Sequence, residues 1–180
     1  MTSAGDTQNA AKLAAFDAIV SEYEGMLLRY VIRIVRSHDA AQDIVQDSFI
    51  KLFKNWDGEL RPSPEISSWL YRVAHNCAVD HLRKETRRNL LHNRQAEERE
   101  EYIQPNRGEA FRLNDASEKA AAALHKLSLR DQQLVILKIY EEKSYREISE
   151  ITGLSVGNVG YILHFAMKKL AEELKKTSAI

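Results

Sequence analysis

The sequence contains few of the residues that cross-link a chain or interrupt its helices. Its one cysteine, Cys77, cannot form an internal disulfide, and three prolines and seven glycines in 180 residues leave room for long helices. No apolar run approaches the roughly 20 residues that a membrane-spanning helix needs. The first residues lack the basic-then-apolar order of a secretory signal. These absences exclude a disulfide-stabilised scaffold and predict a cytoplasmic protein without membrane insertion.

The chain also lacks a net charge of either sign. It carries 26 basic and 26 acidic residues, a balance that taken alone argues against a nucleic-acid-binding protein, because such proteins usually have a basic excess. The charges are not evenly mixed, however. The net charge is −3 over residues 1–60, +4 over 61–94, −3 over 95–120 and +2 over 121–180. Alternating blocks of this kind indicate separate surfaces for different partners.

Apolar residues recur every three or four positions along most of the chain, which predicts an all-α fold. In the first half, the pattern predicts one long helix from Leu13 and a third helix from Pro64 to about Leu91. Between them, a second helix is predicted to begin at Asp39, where Gln42 three residues on completes a capping-box pattern.

The pattern breaks over residues 93–115, which are polar and acidic and contain Pro105 and Gly108. This segment has too few apolar groups to offset the entropy of ordering, so we expect a flexible linker. The linker divides the chain into two small helical domains, residues 10–92 and 116–176.

Short helices are predicted at the start of the second domain. The first covers Ala116–Leu127. Ser128 and Ser144 then each begin a further helix, with an acidic residue three positions on, as in a capping box. The helix after Ser128 is predicted to bury Leu134, Leu137 and Tyr140.

Residues 144–163 have the spacing of a helix-turn-helix. Gly153 can adopt the positive φ that ends the first helix, and Ser155 can cap the second. Residues near the exposed start of the second helix are predicted to face DNA base edges, and nearby cations to contact phosphates. The base-facing set is Ser155, Val156, Asn158 and Tyr161, and the phosphate-contacting pair is Lys143 and Arg146. The alternative is an ordinary three-helix corner with a glycine turn.

The predicted third helix combines aromatic and basic residues in a pattern that suits single-stranded nucleic acid, because bases stack on rings while cations follow the phosphates. The candidate contacts are Trp69, Tyr71, Arg72, His75, Asn76, Arg83, Lys84, Arg87 and Arg88, with Arg61 in the preceding loop. Structural interpretations stay open for four of them. Trp69 and Tyr71 could be core aromatics, and Arg83 or Lys84 could pair with Asp80 one turn away.

No catalytic or metal-binding constellation is evident in the sequence. His75 and His81 lie six residues apart, not the four of a helical metal pair, and there is no second cysteine for a zinc site. The other histidines are scattered and suggest no catalytic dyad. We therefore expect a protein that is not an enzyme and that uses no cofactor or metal.

Two stretches of the first domain, Asp39–Trp56 and Ser68–Arg83, resemble region 2 of bacterial sigma factors, and the helix-turn-helix resembles sigma region 4. The two-domain layout is similar to the extracytoplasmic-function class of the sigma-70 family. This resemblance implies a transcription initiation factor that binds core RNA polymerase and directs it to the −10 and −35 promoter elements. It also implies an anti-sigma factor as a further partner.

The resemblance implies a role for each part of the chain. Asp43, Gln46, Asp47 and Phe49 match the surface that binds the β′ coiled coil of the polymerase. The third helix and the loop 57–66 match the part that melts the −10 element and holds it as a single strand. The helix-turn-helix matches the part that binds the double-stranded −35 element, with the polymerase β flap as a further contact. In the linker, Glu97, Glu98, Glu100 and Glu101 match an acidic segment directed toward the active-site and RNA-exit channel.

One departure from the family leaves a second function open. Where region 4 helices of the family carry arginines, this chain has Ile162, Phe165 and Met167. Because phosphate neutralisation supplies much of the binding energy, we expect the free chain to bind DNA weakly. The alternative function is a sigma-like mimic that titrates an anti-sigma factor without binding a promoter.

Overall fold

The structure, a computed structural model, describes residues 4–96 and 115–178, with side chains described over 9–91 and 118–176. All regular structure in these ranges is helical, which confirms the predicted all-α fold. None of the described helices is long and apolar enough to cross a membrane. The chain divides into two compact units, Met1–Val79 and Asp80–Ile180, and the division falls inside the third helix.

The first unit is built from α1 (Ala4–Val35), α2 (His38–Asn55) and the first half of α3 (Pro64–Ala96). Its core consists of apolar side chains at helical spacing on all three helices, and burying them supplies most of the favourable free energy of folding. The largest of these fully buried residues are Ile19, Leu27, Tyr30, Leu52, Ile66, Leu70 and Tyr71. At one end of the unit, the Phe16 ring contacts the Phe53 ring edge-on, with centroids 5.0 Å apart.

The helix starts in this unit follow local capping chemistry. Arg36 adopts a left-handed conformation with φ of 57° after α1. Ser37 then caps α2, because its hydroxyl accepts a hydrogen bond from the Ala40 amide at 3.2 Å. The predicted cap at Asp39 is therefore wrong by two residues, and Asp39 instead lies in the first turn. The predicted start of α3 at Pro64 is confirmed.

α3 ends at Ala96, beyond the predicted end near Leu91 and four residues into the predicted linker. The extra turn has a simple cause: no proline or glycine occurs between Pro64 and Pro105, and Arg94, Gln95 and Ala96 are good helix formers. Its last described side chains, including Leu90 and Leu91, are exposed.

In the described part of the second unit, α3 is followed by four α-helices: α4 (Asp115–His125), α5 (Leu129–Val135), α6 (Tyr145–Thr152) and α7 (Val156–Ser178). α4, α5 and α6 all pack on α7. The core between them is aliphatic, and its largest fully buried side chains are Leu134, Ile136, Leu137, Ile148 and Ile151. The Lys126 ammonium, just after α4, forms an ion pair of 2.9 Å with Glu173 of α7.

α5 continues into a π-helical turn over Ile136–Tyr140, in which the Glu141 amide donates to the Ile136 carbonyl at 3.2 Å. Leu134 and Leu137 are buried as predicted, but Tyr140 is exposed, so the prediction of a buried Tyr140 is wrong. A π turn advances each residue by a smaller angle than an α turn, so Tyr140 falls out of register with the buried stripe.

Candidate nucleic-acid interface

The turn between α6 and α7 has the predicted helix-turn-helix geometry. The Ser144 hydroxyl accepts from the Glu147 amide at 3.2 Å, and the Glu147 carboxylate accepts from the Ser144 amide at 2.7 Å, which completes a capping box. These hydrogen bonds lower the pKa of Glu147 below its usual value. α6 ends at Gly153, whose φ is +75°, and the Ser155 hydroxyl accepts from the Asn158 amide at 3.2 Å. All three predicted elements of the motif are confirmed.

The start of α7 presents one buried and one exposed face. The buried face contains Val159, Ile162, Leu163 and Ala166. The predicted base-facing residues Ser155, Val156, Asn158 and Tyr161 are all exposed, and 67% of the Tyr161 surface is accessible. The Tyr161 ring packs beside that of exposed Phe165, with centroids 4.8 Å apart. The sequence-predicted reading residues therefore lie together on an open surface.

Cations are sparse around this surface. The Arg146 side chain is exposed and forms an ion pair of 3.3 Å with Glu150 one turn along α6. An exposed pair of this kind contributes little stability, so Arg146 can exchange it for a phosphate. Lys143 is half-buried, and its carbonyl accepts from the Lys138 ammonium at 3.3 Å. On α7 itself, the first lysines are Lys168 and Lys169, both exposed.

α3 brings most of its predicted basic contacts to the surface. The exposed members of the set are Arg72, Asn76, Arg83, Lys84, Arg87 and Arg88. Arg83 also pairs with Asp80 at 3.5 Å, but both side chains are more than 60% exposed, so this pair competes weakly with a phosphate. In the preceding loop, Arg61 is exposed and pairs with Glu59 at 3.3 Å.

Two members of the set are core residues, and their prediction as direct nucleic-acid contacts is wrong. Tyr71 is 2% exposed and His75 is 5% exposed, because positions 71, 74, 75 and 78 form the stripe of α3 that faces the core. The Tyr30 hydroxyl lies 2.8 Å from His75 Nδ1, and the Tyr30 and Tyr71 rings are 5.3 Å apart. Burial lowers the pKa of His75 to about 4, so the imidazole is neutral at physiological pH.

Trp69 is half-buried and lies beside a second tryptophan that the sequence reasoning did not include in the site. The Trp56 and Trp69 rings contact edge to face, with centroids 6.2 Å apart. Trp56 ends α2, and its indole Nε1 donates to the Glu59 carbonyl at 3.3 Å, which holds the loop against the ring. A tryptophan at a helix end followed by an Asp-Gly turn is the sequence signal that could have identified it.

The predicted polymerase-facing residues of α2 also include both exposed residues and a core residue. Asp43, Gln46 and Asp47 are exposed and share one face of the helix. Phe49 is only 6% exposed and its ring lies 6.3 Å from that of Phe16, so its prediction as a direct contact is wrong. Ile50, 43% exposed, lies on the acidic face three residues after Asp47 and supplies the apolar residue instead.

Within the described side chains, no three His, Cys, Asp or Glu residues are close enough to hold a metal ion. The linker residues Glu97, Glu98, Glu100 and Glu101 lie outside the described residues.

Both halves of the chain match known family models. The Sigma-70 region 2 model matches residues 19–88, and the Sigma-70, region 4 model matches residues 117–170. Together they cover more than half of the chain and include the three surfaces described above, on α2, α3 and α7. The chain belongs to the sigma-70 family. It is a transcription initiation factor of the extracytoplasmic-function class.

Individual relatives agree with this assignment. The sigma factor is 30% identical to RNA polymerase sigma-H factor of Pseudomonas aeruginosa, over 81% of this chain and 78% of the relative. It is 27% identical to RNA polymerase sigma factor YlaC of Bacillus subtilis, over 91% and 94%. It is 28% identical to ECF RNA polymerase sigma factor SigW of Bacillus subtilis, over 89% of each chain.

A solved structure shares the fold of this sigma factor. It is the sigma factor RpoE from Bartonella quintana, crystallised in complex with the anti-sigma factor NepR. The TM-score is 0.61 at 22% identity, and the match covers 94% of this chain and 97% of that chain.

Proposed function

We propose that this sigma factor works as a non-catalytic, cytoplasmic subunit of RNA polymerase holoenzyme, with three exposed surfaces that act in sequence. α2 binds core polymerase, α3 and its preceding loop hold the −10 strand, and the helix-turn-helix binds the −35 duplex. The observation that carries the proposal is the presence, in one chain, of a region 2 match and a region 4 match that each include an exposed surface suited to its partner.

The polymerase-binding surface consists of Asp43, Gln46, Asp47 and Ile50 on one exposed face of α2. Two carboxylates beside an apolar side chain suit a basic helix with an apolar ridge, such as the β′ coiled coil. The carboxylates favour encounter and orientation, while burial of Ile50 on binding contributes affinity. Phe49 supports this surface from the core, through its contact with Phe16.

The strand-holding surface combines the tryptophan pair with the exposed cations of α3. Trp69 offers a ring on which an unpaired base can stack, and Trp56 buttresses it from the side. The cations Arg72, Arg83, Lys84, Arg87 and Arg88 follow the helix and can track the phosphates of the strand. Tyr71 and His75 position the helix from the core rather than contacting DNA.

The two binding domains would comprise residues 10–92 and 116–176, joined by the linker 93–115. In this arrangement the acidic linker residues would be repelled by nascent RNA, which would favour release of the sigma factor during elongation.

The proposal is tested by transcription with purified core polymerase. Core enzyme plus the full chain should yield transcripts from specific members of a promoter library, and core enzyme alone should not. Replacing Trp69 with Ala should lower open-complex formation while leaving holoenzyme assembly intact. Leu91→Ala, at an exposed position on the same helix, is the matched control. Equal loss of assembly and open complex in W69A would show that Trp69 serves folding only.

The polymerase-binding surface needs a separate test. Asp43→Lys with Asp47→Lys should weaken assembly with core polymerase, because both charges on the proposed β′ contact are reversed. Asp17→Lys with Glu22→Lys, which makes the same change in charge at exposed positions on α1, should assemble normally. Equal assembly by both double variants would move the polymerase contact away from α2.

We also propose an anti-sigma factor as a partner, by analogy with the crystallised relative. A mimic that only titrates such a factor is not favoured, because it would have no use for the exposed cations of α3. Promoter-dependent transcription by the reconstituted holoenzyme separates the two functions.

A further inference from the structure

The exposed face at the start of α7 lacks the side chains that usually recognise guanine. From Ser155 to Met167 the helix has no lysine or arginine, and its outward residues are polar, apolar or aromatic. Lys168 lies 13 residues beyond Ser155, which places it about 20 Å along the helix axis at 1.5 Å per residue. That distance is too great for Lys168 to read a base beside the first turn.

The missing cations are not supplied from the neighbouring surface. Ile162, in the second turn of α7, is only 6% exposed and packs in the core. At Gly160 an added Cβ would lie 3.5 Å from the Tyr145 ring, so that position faces α6. Arg146 belongs to the first helix of the motif, which crosses the DNA backbone and does not enter the groove. The exposed face at the start of α7 therefore cannot make a bidentate arginine–guanine contact.

The face does carry the groups that recognise A·T pairs. The Asn158 amide is exposed, and its carbonyl and NH2 groups match the N6 donor and N7 acceptor of adenine. Val156 is 49% exposed and Tyr161 is 67% exposed, and apolar surfaces of this kind contact the thymine methyl group. Gly157 lies between Val156 and Asn158 with no atom within 4 Å of where its Cβ would be, which leaves room for a base-pair edge.

The backbone that carries these side chains is fixed by the helix cap. Asn158 lies in the first turn of α7, where its backbone N–H donates to the Ser155 hydroxyl. Tyr161 follows three residues later, so the two side chains are neighbours on the helix surface. The Phe165 ring beside Tyr161, at 4.8 Å, restricts the tyrosine to one side. The reading surface thus carries no lysine or arginine, and its chemistry is directed to adenine and thymine.

We infer that this sigma factor recognises a −35 element of A·T pairs, with an adenine bound by Asn158 and adjacent thymine methyl groups packed against Val156 and Tyr161. The inference rests on the proposed function, since it requires the helix-turn-helix to bind the −35 duplex. A matched bidentate contact discriminates about tenfold or more against the wrong base, so Asn158 alone should produce a measurable preference.

The test uses reconstituted holoenzyme and a library with both hexamers randomised, in which a barcode in each transcript identifies its template. Wild-type holoenzyme should enrich A·T pairs in the −35 hexamer by about tenfold at the best position. Asn158→Asp should abolish the preference at one adenine. This variant keeps the size of the side chain and suits the first turn of a helix, so misfolding does not explain a loss. Asn158→Arg should change the preference at that position from adenine to guanine.

The possible results separate the inference from the proposed function. Enrichment of G·C pairs at −35 by the wild-type protein, or an unchanged profile in N158D and N158R, would overturn the inference while the initiation function stands. If the enriched promoters shared a −10 sequence but had no preferred base in the −35 hexamer, the inference would also be overturned while the initiation function stands. Absence of selection at both elements, relative to core enzyme alone, would overturn the proposed function as well.

Discussion

His75 illustrates how one buried side chain affects the whole first unit. Its imidazole lies in the core with the Tyr30 hydroxyl at 2.8 Å from Nδ1, on the stripe of α3 that also carries Tyr71. A neutral imidazole is satisfied there, but a protonated one would be a buried charge with little water around it. Because His75 is buried and does not contact DNA, its protonation at low pH should destabilise the folded protein.

The sign of this effect follows from the pKa. His75 titrates near 4 in the folded protein against 6.5 for the unfolded chain, so the folded chain binds fewer protons between these values. Above pH 6.5 the imidazole is neutral in both states and the shift has no effect, whereas stability is lost as the pH falls from 6.5 toward 4 because the unfolded chain is protonated first. We expect the free energy of unfolding to drop by about 2 kcal/mol between pH 7 and pH 5.

Urea unfolding followed by circular dichroism at the two pH values measures this drop, and an NMR titration of the imidazole measures its pKa directly. His75→Gln, which cannot titrate, is the control and should lose most of the pH dependence. An equal drop in H75Q would assign the acid sensitivity to other groups.

At the scale of elements, two glycines four residues apart allow a matched comparison of backbone requirements. Gly153 ends α6 with φ of +75°, whereas Gly157 lies inside α7, and neither has an atom within 4 Å of an added Cβ. Any effect of alanine therefore comes from the backbone. Gly153→Ala should destabilise the protein by about 1–2 kcal/mol because alanine resists the left-handed conformation. Gly157→Ala should stabilise it by up to about 1 kcal/mol through helix propensity.

Urea unfolding measures the midpoint of each variant against the wild-type protein. We expect a lower midpoint for G153A and a higher midpoint for G157A. A stabilised G153A variant would mean that the turn does not need the left-handed conformation.

The elements also show which features could be predicted from the sequence. The capping box at Ser144, the cap at Ser155 and the glycine turn depend on residues within a few positions of one another, and all were predicted correctly. Whether Phe49, Tyr71 and His75 contact a partner depends on which helix faces meet across the unit. Their direct contacts were predicted wrongly, whereas the core interpretation left open for Tyr71 is confirmed. Where aromatic and polar residues lie between the apolar and the polar face of a helix, the amphipathic pattern does not show whether they are buried. The π turn after α5 has no local signal, so the exposure of Tyr140 could not be foreseen.

At the scale of the whole molecule, the zero net charge is the sum of acidic and basic surfaces that have different partners. The acidic face of α2 and the cations of α3 offset one another in the total, and α7 offers the −35 duplex few cations. Since non-specific affinity comes mainly from phosphate neutralisation, we expect the isolated chain to bind promoter duplex only in the range of about 10⁻⁴–10⁻⁶ M at physiological salt. Affinity for the promoter should come with assembly into holoenzyme.

Restoring cations to α7 tests this explanation. Phe165→Arg with Met167→Arg places two charges at exposed positions and should steepen the slope of log affinity against log salt by about 2. Phe165→Gln with Met167→Gln removes the same apolar groups without adding charge and should leave the slope unchanged. Fluorescence anisotropy with a labelled duplex measures both, and equal slopes for the two variants would contradict the explanation.

The edge contact between Trp56 and Trp69 has a practical consequence for observing the first step of transcription. The chain contains two tryptophans, and both lie in this one contact, 6.2 Å apart. All tryptophan emission of the sigma factor therefore originates where we propose that the −10 strand is held. A base that stacks on Trp69 would quench that emission, and in a polymerase whose own tryptophans are replaced, promoter melting could be followed in real time without an attached dye.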